Sequence, residues 1–199
     1  MNDQSLDLSA LVASRLCHDL ISPLGAISNG VELLGLSSDT AEARLVADSA
    51  RSATARIRLF RIAFGHSAPG QSVPLNELRS ILDDMSATGR IAYSWLGEKG
   101  CSRDQAKLCL LALLCAETEL AYGGRISLLP GEATTVVTAS SDRFRADPGP
   151  WEIFRETPAN AGAATAPSLV QFPVLLAESR RQGRLPQVER GETVLRITV

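Results

Sequence analysis

The sequence has no excess of positive charge and no long hydrophobic run. Its 20 Lys and Arg residues are slightly outnumbered by 22 Asp and Glu residues, which gives a formal net charge of -2. A basic surface for nucleic acid is therefore not expected. No apolar stretch is long enough to span a bilayer, and the N-terminal residues lack the basic start of a signal peptide. We expect a protein that binds neither nucleic acid nor a membrane.

The four cysteines lack the spacing of a metal site, and histidine is scarce, with two residues in 199. Cys109 and Cys115 lie in a strongly apolar run, while Cys17 and Cys101 stand apart from it. Buried, reduced thiols are the interpretation that fits this pattern. The sequence therefore predicts no metal site and a cytoplasmic protein.

An amphipathic helix is predicted around His18. At about 100° per residue, six apolar side chains fall within an arc of roughly 80°, namely Leu16, Leu20, Leu24, Ile27, Val31 and Leu34. His18 lies about 160° from the centre of this stripe, so its imidazole should project into solvent. Pro23, inside the same helix, removes the hydrogen bond to the Asp19 carbonyl and tends to kink or bulge a helix.

The neighbours of His18 favour a reactive imidazole over an ordinary solvated surface histidine, which is the simpler alternative. Asp19 follows it directly, and a carboxylate beside an imidazole can fix its tautomer and raise its basicity. The side chains around it on the helix are small or polar, so another protein's backbone can approach closely. We predict that a partner docks on Ser14, Arg15, Gly25 and Asn29.

A second amphipathic helix follows a turn at residues 37–40, which contains several good N-cap residues. Its apolar side chains recur at spacings of four and three, as in a coiled-coil seam: Val46, Ala50, Ala53, Ile57, Phe60 and Phe64. The short loop predicts an antiparallel hairpin. One hairpin cannot cover both apolar stripes, so two copies are expected to pair as a dimeric four-helix bundle. Its arginine-rich outer faces are either simply solvated or attract an acidic partner.

Residues 66–72 form a small, polar linker with proline and glycine, in which His66 is read as a linker residue. It separates a hairpin domain, 1–67, from a second domain, 72–199. The second domain shows helices at 75–85, 103–121 and 167–182, with Ser102 as the N-cap of the second of these, and strands at 90–96, 125–129, 134–140, 185–188 and 193–199. Helices flanking one mixed or mostly antiparallel sheet make an α+β sandwich.

The run His18-Asp19-Leu20-Ile21-Ser22-Pro23-Leu24 resembles the phosphoacceptor box of bacterial sensor histidine kinases. With Cys17 before it and the Asn29-Gly30-Val31-Glu32-Leu33-Leu34 continuation, it is more narrowly similar to the ChpT-type histidine phosphotransferases. That resemblance implies a phosphorelay in which His18 accepts a phosphoryl group and Asp19 orients and polarises its imidazole. The implied partners are receiver domains of a hybrid histidine kinase and of response regulators. Since the receiver would supply Mg²⁺, no cofactor is expected on this chain.

Ser22 stands where related kinases place threonine or asparagine to position a hydrolytic water, and the resemblance leaves its role open. Sensor kinases usually carry an input domain ahead of the hairpin. This sequence begins at the hairpin, so we expect it to sense nothing by itself.

The second domain resembles the ATP-binding domain of histidine kinases but lacks its nucleotide motifs. Cys115 stands where that family carries asparagine, and neither a thiol nor the apolar Leu111 one turn earlier can hold a hydrated Mg²⁺. Asp147 and Gly149 do not have the Asp-x-Gly-x-Gly spacing, and residues 161–164 are only a weak match to a glycine-rich lid. We expect a kinase-like shape that has lost ATP, although an ordinary α+β domain gives the same expectation.

These observations predict a histidine phosphotransferase that shuttles a phosphoryl group between receiver aspartates through His18. A non-enzymatic dimeric adaptor or kinase inhibitor is the main alternative. An ATP-using histidine kinase with divergent motifs is the other.

Overall fold

The structure is a computed structural model that describes residues 3–34, 40–131, 134–144, 149–155 and 166–199. Two long helices open it, α1 (Asp3–Leu34) and α2 (Thr40–Ala63), and they pack against each other along their length. Only residues 35–39 connect them, so the helices run antiparallel. The predicted hairpin is confirmed. Its turn and the predicted N-cap residues before Thr40 lie outside the described residues.

The second part of the chain is a mixed sheet with helices. Its elements are β1 (Ser72–Val73), α3 (Leu75–Thr88), β2 (Ile91–Trp95), β3 (Cys101–Ser102), α4 (Arg103–Glu117), β4 (Gly124–Pro130), β5 (Thr135–Ser140), α5 (Gln171–Arg181), β6 (Gln187–Arg190) and β7 (Val194–Thr198). Five strands form one sheet in the order β2-β4-β5-β7-β6, in which only β2 and β4 are parallel. The short β1 and β3 pair separately as an antiparallel ribbon. The predicted α+β class is confirmed.

Helix α4 forms the centre of the hydrophobic core. Every side chain from Leu108 to Ala116 is buried, including Leu111, Leu113 and Cys115. A helix that is apolar all round must be enclosed on every side. Strands β4 and β5 cover one side of α4, while α2 and α5 contact it from others.

The hairpin shares this core with the second part of the chain. Leu59 and Ile62 on α2 are fully buried in the same cluster as the α4 leucines. The predicted linker, in which His66 is exposed, is held against α4 as well. Arg103 donates from Nε to the His66 carbonyl at 3.0 Å, and Lys107 donates to the Gly65 carbonyl at 3.0 Å. The end of α2 is therefore fixed to the start of α4.

Several predicted boundaries were wrong by a few residues. Helix α4 does begin after Ser102, whose hydroxyl caps it by accepting from the Gln105 amide at 3.2 Å. It ends at Glu117 instead of residue 121 because the chain then turns, which brings the buried carboxylate of Glu119 to Trp151. The last hairpin begins two residues later than predicted, since Pro186 has no amide for the strand ladder.

The predicted helix at 167–182 is two elements, a 3₁₀ turn at Pro167–Leu169 and α5 after it. A second 3₁₀ helix, Gly149–Phe154, packs on α5 and was not predicted. Its Trp151 ring meets the Phe172 ring edge-on at 4.9 Å between centroids. In the described part of the chain, no helix combines the length and hydrophobicity needed to cross a bilayer.

Candidate functional site

His18 projects from the middle of α1 into solvent, as the helical geometry predicts. Its side chain is 81% exposed. The four small or polar residues that share its face, Ser14, Ser22, Gly25 and Asn29, are exposed as well. The surface on this face of the imidazole is therefore open and lined by small side chains. A partner can reach the ring without rearranging α1.

Asp19 lies beside the imidazole and selects its tautomer. His18 Nδ1 and Asp19 Oδ1 are 3.1 Å apart. A carboxylate only accepts hydrogen bonds, so Nδ1 carries the proton in the neutral ring and Nε2 keeps a free lone pair. The exposed ring thus offers Nε2 as its nucleophilic atom.

Arg15 holds the other oxygen of the same carboxylate. Its Nε donates to Asp19 Oδ2 at 2.8 Å, one helical turn away, and the two side chains are only 12% and 15% exposed. The docking role of Arg15 stays a prediction, and in this structure its guanidinium is engaged by partners within the chain. The sequence offered no signal for this placement.

The guanidinium of Arg15 also reaches the second part of the chain. Its terminal nitrogen donates to the Ser168 carbonyl and, at 3.4 Å, to Gln171 Oε1. Gln171 is fully buried at the start of α5, and its Nε2 donates to the Leu114 carbonyl of α4 at 3.5 Å. A continuous set of contacts therefore joins the core to the exposed imidazole.

A partly buried ion pair between Arg56 and Glu117 lies near the contacts of Arg15 and Asp19. Arg56 of α2 donates to both carboxylate oxygens of Glu117 at 3.1 and 2.9 Å, and the Tyr93 hydroxyl donates to the same group at 2.6 Å. The Glu117 carboxylate raises the pKa of Arg56 well above its ordinary value, and the charge of Asp19 adds to this. Burial, together with Glu117, raises the pKa of Tyr93. Sequence reasoning missed this trio because its members are far apart in the chain.

The positions compared with kinase nucleotide ligands do not face an open cleft. Leu111 and Cys115 are fully buried in α4, and burial raises the pKa of the Cys115 thiol well above its ordinary value. Among the described residues, no group of three or more His, Cys, Asp or Glu side chains could hold a metal ion. Asp147 and residues 161–164 lie outside the described residues.

A cavity of about 640 Å³ opens between the linker and the start of α4. It is lined by Ser67, Gln71, Cys101 and Asp104, among others, and by none of the predicted site residues.

Comparison with known proteins identifies relatives across the chain. The sequence model of the histidine phosphotransferase C-terminal domain family matches residues 75–194. Protein phosphotransferase ChpT of Brucella abortus (strain 2308) is 35% identical over 152 residues, which is 72% of each chain. A solved bacterial phosphotransferase superposes over 100% of this chain and 98% of its own, with a TM-score of 0.79 and 27% identity. The histidine kinase domain from Erythrobacter litoralis EL346 blue-light activated histidine kinase aligns over 100% of this chain and 94% of its own, with a TM-score of 0.43 and 16% identity.

Proposed function

Because the chain belongs to the histidine phosphotransferase family and is a phosphotransferase of a phosphorelay, we propose that His18 carries the phosphoryl group. One observation supports this assignment above the others. The His18 ring is exposed, and its Nδ1 is engaged by Asp19, so Nε2 is the free nucleophile. The other histidine, His66, lies in the linker and has no such carboxylate among its described contacts.

In the proposed reaction, the Nε2 lone pair attacks the phosphorus of an aspartyl phosphate on a receiver domain. The new P–N bond forms as the P–O bond to the aspartate breaks, and the aspartate leaves as a carboxylate. The imidazole ring gains positive charge, which the neighbouring Asp19 carboxylate stabilises. The reverse reaction passes the group to a second receiver. Such transfers depend mainly on positioning and charge neutralisation.

The proposed partners are receiver domains, one from a hybrid histidine kinase and others from response regulators. They dock on the exposed strip of Ser14, Gly25 and Asn29 around His18, where small side chains permit close approach. Ser22, exposed on the same strip, contacts the partner in this scheme, and we assign it no hydrolytic role. Mg²⁺ belongs to the receiver, where the phosphorylated aspartate is.

We further propose that two chains pair through their hairpins as a four-helix bundle. Several large apolar side chains of α1 and α2 are about half exposed or more, which is costly for a surface: Ile21 at 69%, Leu24 at 56%, Val31 at 55%, Leu45 at 50% and Ile57 at 51%. Pairing of two hairpins would bury such residues. Light scattering should therefore give twice the chain mass, and Leu24→Glu combined with Ile57→Glu should give the monomer.

The second domain in this proposal is kinase-like in shape, binds no ATP and serves in the cytoplasm. The burial of Leu111 and Cys115 supports the absence of ATP binding, because neither side chain is placed to meet a nucleotide. Titration with an ATP analogue should give no saturable signal. Incubation with labelled ATP should leave the chain unlabelled.

The decisive experiment is label transfer from a phosphorylated receiver domain to three versions of the chain. Wild type and His66→Gln should become labelled, and His18→Gln should not, although it should still bind the receiver. The label should be stable to base and labile to acid, as a phosphoramidate is. Labelling of His18→Gln at the wild-type rate would show that another residue carries the group. A wild type that binds the receiver but takes no label would favour the adaptor alternative.

A further inference from the structure

The contacts of Arg15 join the nucleophile to the second part of the chain. We propose that Gln171 and the Ser168 carbonyl, acting through Arg15, hold Asp19 in the orientation that sets the reactive tautomer of His18. Arg15 and Gln171 are then positioning residues for phosphotransfer. The proposal rests on the proposed role of His18. In this proposal the second part of the chain helps to position the reactive imidazole.

The His18 imidazole is restrained mainly by its contact with Asp19. With its side chain 81% exposed, the His18 ring is held by almost no packing. Its Nδ1 contact with Asp19 Oδ1 at 3.1 Å is therefore the main restraint on its orientation and tautomer. Whatever holds that carboxylate also holds the ring.

The Asp19 carboxylate is held between Arg15 and His18. Asp19 binds Arg15 Nε through Oδ2 at 2.8 Å, which leaves Oδ1 directed at the imidazole. Free rotation of the carboxylate would break both contacts at once. Because the carboxylate is only 15% exposed, water competes weakly for its oxygens. Arg15 therefore fixes the orientation in which the carboxylate faces His18.

Arg15 is held in turn by two residues from the second part of the chain, Ser168 and Gln171. A guanidinium is planar, so the direction of its Nε donor is fixed once its terminal nitrogen is bound. That terminal nitrogen donates to the Ser168 carbonyl and to Gln171 Oε1, which are 153 and 156 residues away in sequence. Gln171 is 0% exposed and is bonded in turn to the Leu114 carbonyl of α4.

Loss of this support should change the chemistry at His18 as well as the stability of the fold. Without Arg15 the carboxylate can turn away, the Nδ1–H tautomer loses its acceptor and its population falls. At metal sites, removing the outer-shell partner that orients a ligating histidine lowers metal affinity or activity about 10–100-fold, and we take the lower end for this metal-free histidine. We expect a loss of about tenfold in the rate of phosphoryl uptake for Arg15→Gln and for Gln171→Leu. Arg15→Lys should have an intermediate rate of phosphoryl uptake, because an ammonium group keeps the positive charge but lacks the planar, forked donors of the guanidinium.

The test reads the tautomer directly, by ¹⁵N NMR of the imidazoles at a pH above their titration. The chain contains only two histidines, so a His66→Gln variant assigns the spectrum. Wild type should show His18 mainly as Nδ1–H, and Arg15→Gln and Gln171→Leu should both lower that population. The matched control is Arg61→Gln, which removes the same charge and an exposed ion pair with Glu77. It should keep the wild-type tautomer and transfer rate.

A wild-type tautomer in both Arg15→Gln and Gln171→Leu would overturn the proposal, whatever their transfer rates. Loss of transfer with an unchanged tautomer would also overturn it, since this points to docking or folding. Circular dichroism shows whether each variant is folded. If Gln171→Leu unfolds, Arg15→Lys tests the Arg15 end of these contacts. The proposed function fails separately, through labelling of His18→Gln, and the tautomer measurement does not depend on it.

Discussion

The ion pair between Arg56 and Glu117 offers the sharpest test of how the hairpin is attached. Replacing Arg56 by leucine leaves the Glu117 carboxylate, which is 10% exposed, with the Tyr93 hydroxyl as its remaining partner in this trio. Breaking a buried pair by removing one partner typically costs about 3–5 kcal/mol. Because Arg56 is itself 28% exposed, we take the lower end and expect a loss of about 3 kcal/mol.

For a chain of this length, 1 kcal/mol corresponds to a shift of about 2–4 °C in Tm. Arg56→Leu should therefore lower Tm by roughly 6–12 °C. Leucine at both Arg56 and Glu117 should cost less than the sum of the two single changes, with a coupling of about 2 kcal/mol between them. Arg51→Leu is the matched control. It breaks an exposed pair with Asp48, for which we expect less than about 1 kcal/mol.

The assay is urea unfolding followed by circular dichroism, at one protomer concentration for all variants because the proposed dimerisation would contribute to apparent stability. If Arg56→Leu is no more destabilised than Arg51→Leu, the pair does not fasten the hairpin. Additive effects of the two leucine substitutions would lead to the same conclusion.

Three further predictions concern the second part of the chain and the thiols. Burial raises the pKa of Cys101 to about 11, so at pH 8 its thiol is protonated and should react with iodoacetamide much more slowly than exposed Cys17, as measured by mass spectrometry. Equal rates would contradict this burial. Trp151→Phe removes the indole donor 2.6 Å from the buried Glu119 carboxylate and should cost about 2 kcal/mol in urea unfolding; an unchanged midpoint would show that the bond contributes little. Gly124→Ala should lower Tm by roughly 6–12 °C, which is about 3 kcal/mol of backbone strain at about 2–4 °C per kcal/mol. The added Cβ would lie 2.4 Å from the Ser140 carbonyl oxygen of β5; a wild-type Tm would refute this.

The hairpin and the exposure of His18 were predictable because both follow from local periodicity. Helical geometry at about 100° per residue is enough to place His18 opposite Leu16 and Leu20. The capping role of Ser102 was also predictable, because an N-cap depends on residues within one turn. These features need no knowledge of distant parts of the chain.

The supporting contacts of the site were not predictable in the same way. Arg15 reads as a surface arginine on a polar face, and its partners lie more than 150 residues later. Glu117 and Tyr93 likewise look like ordinary residues of a helix and a strand until the fold brings them to Arg56. The predicted end of α4 at residue 121 was wrong because the chain turns after Glu117 to bring Glu119 to Trp151, which lies 32 residues later in the sequence.

The strip of small residues around His18 contains one imidazole per chain, and this has a kinetic consequence. In the proposed relay, donor and acceptor receivers would use the same strip of a given chain, so they would exclude each other and bind in turn. A donor that has given up its phosphoryl group but stays bound would act as a competitive inhibitor of the next transfer. The rate at which spent partners dissociate would then limit the flow of phosphoryl groups together with the chemistry at Nε2.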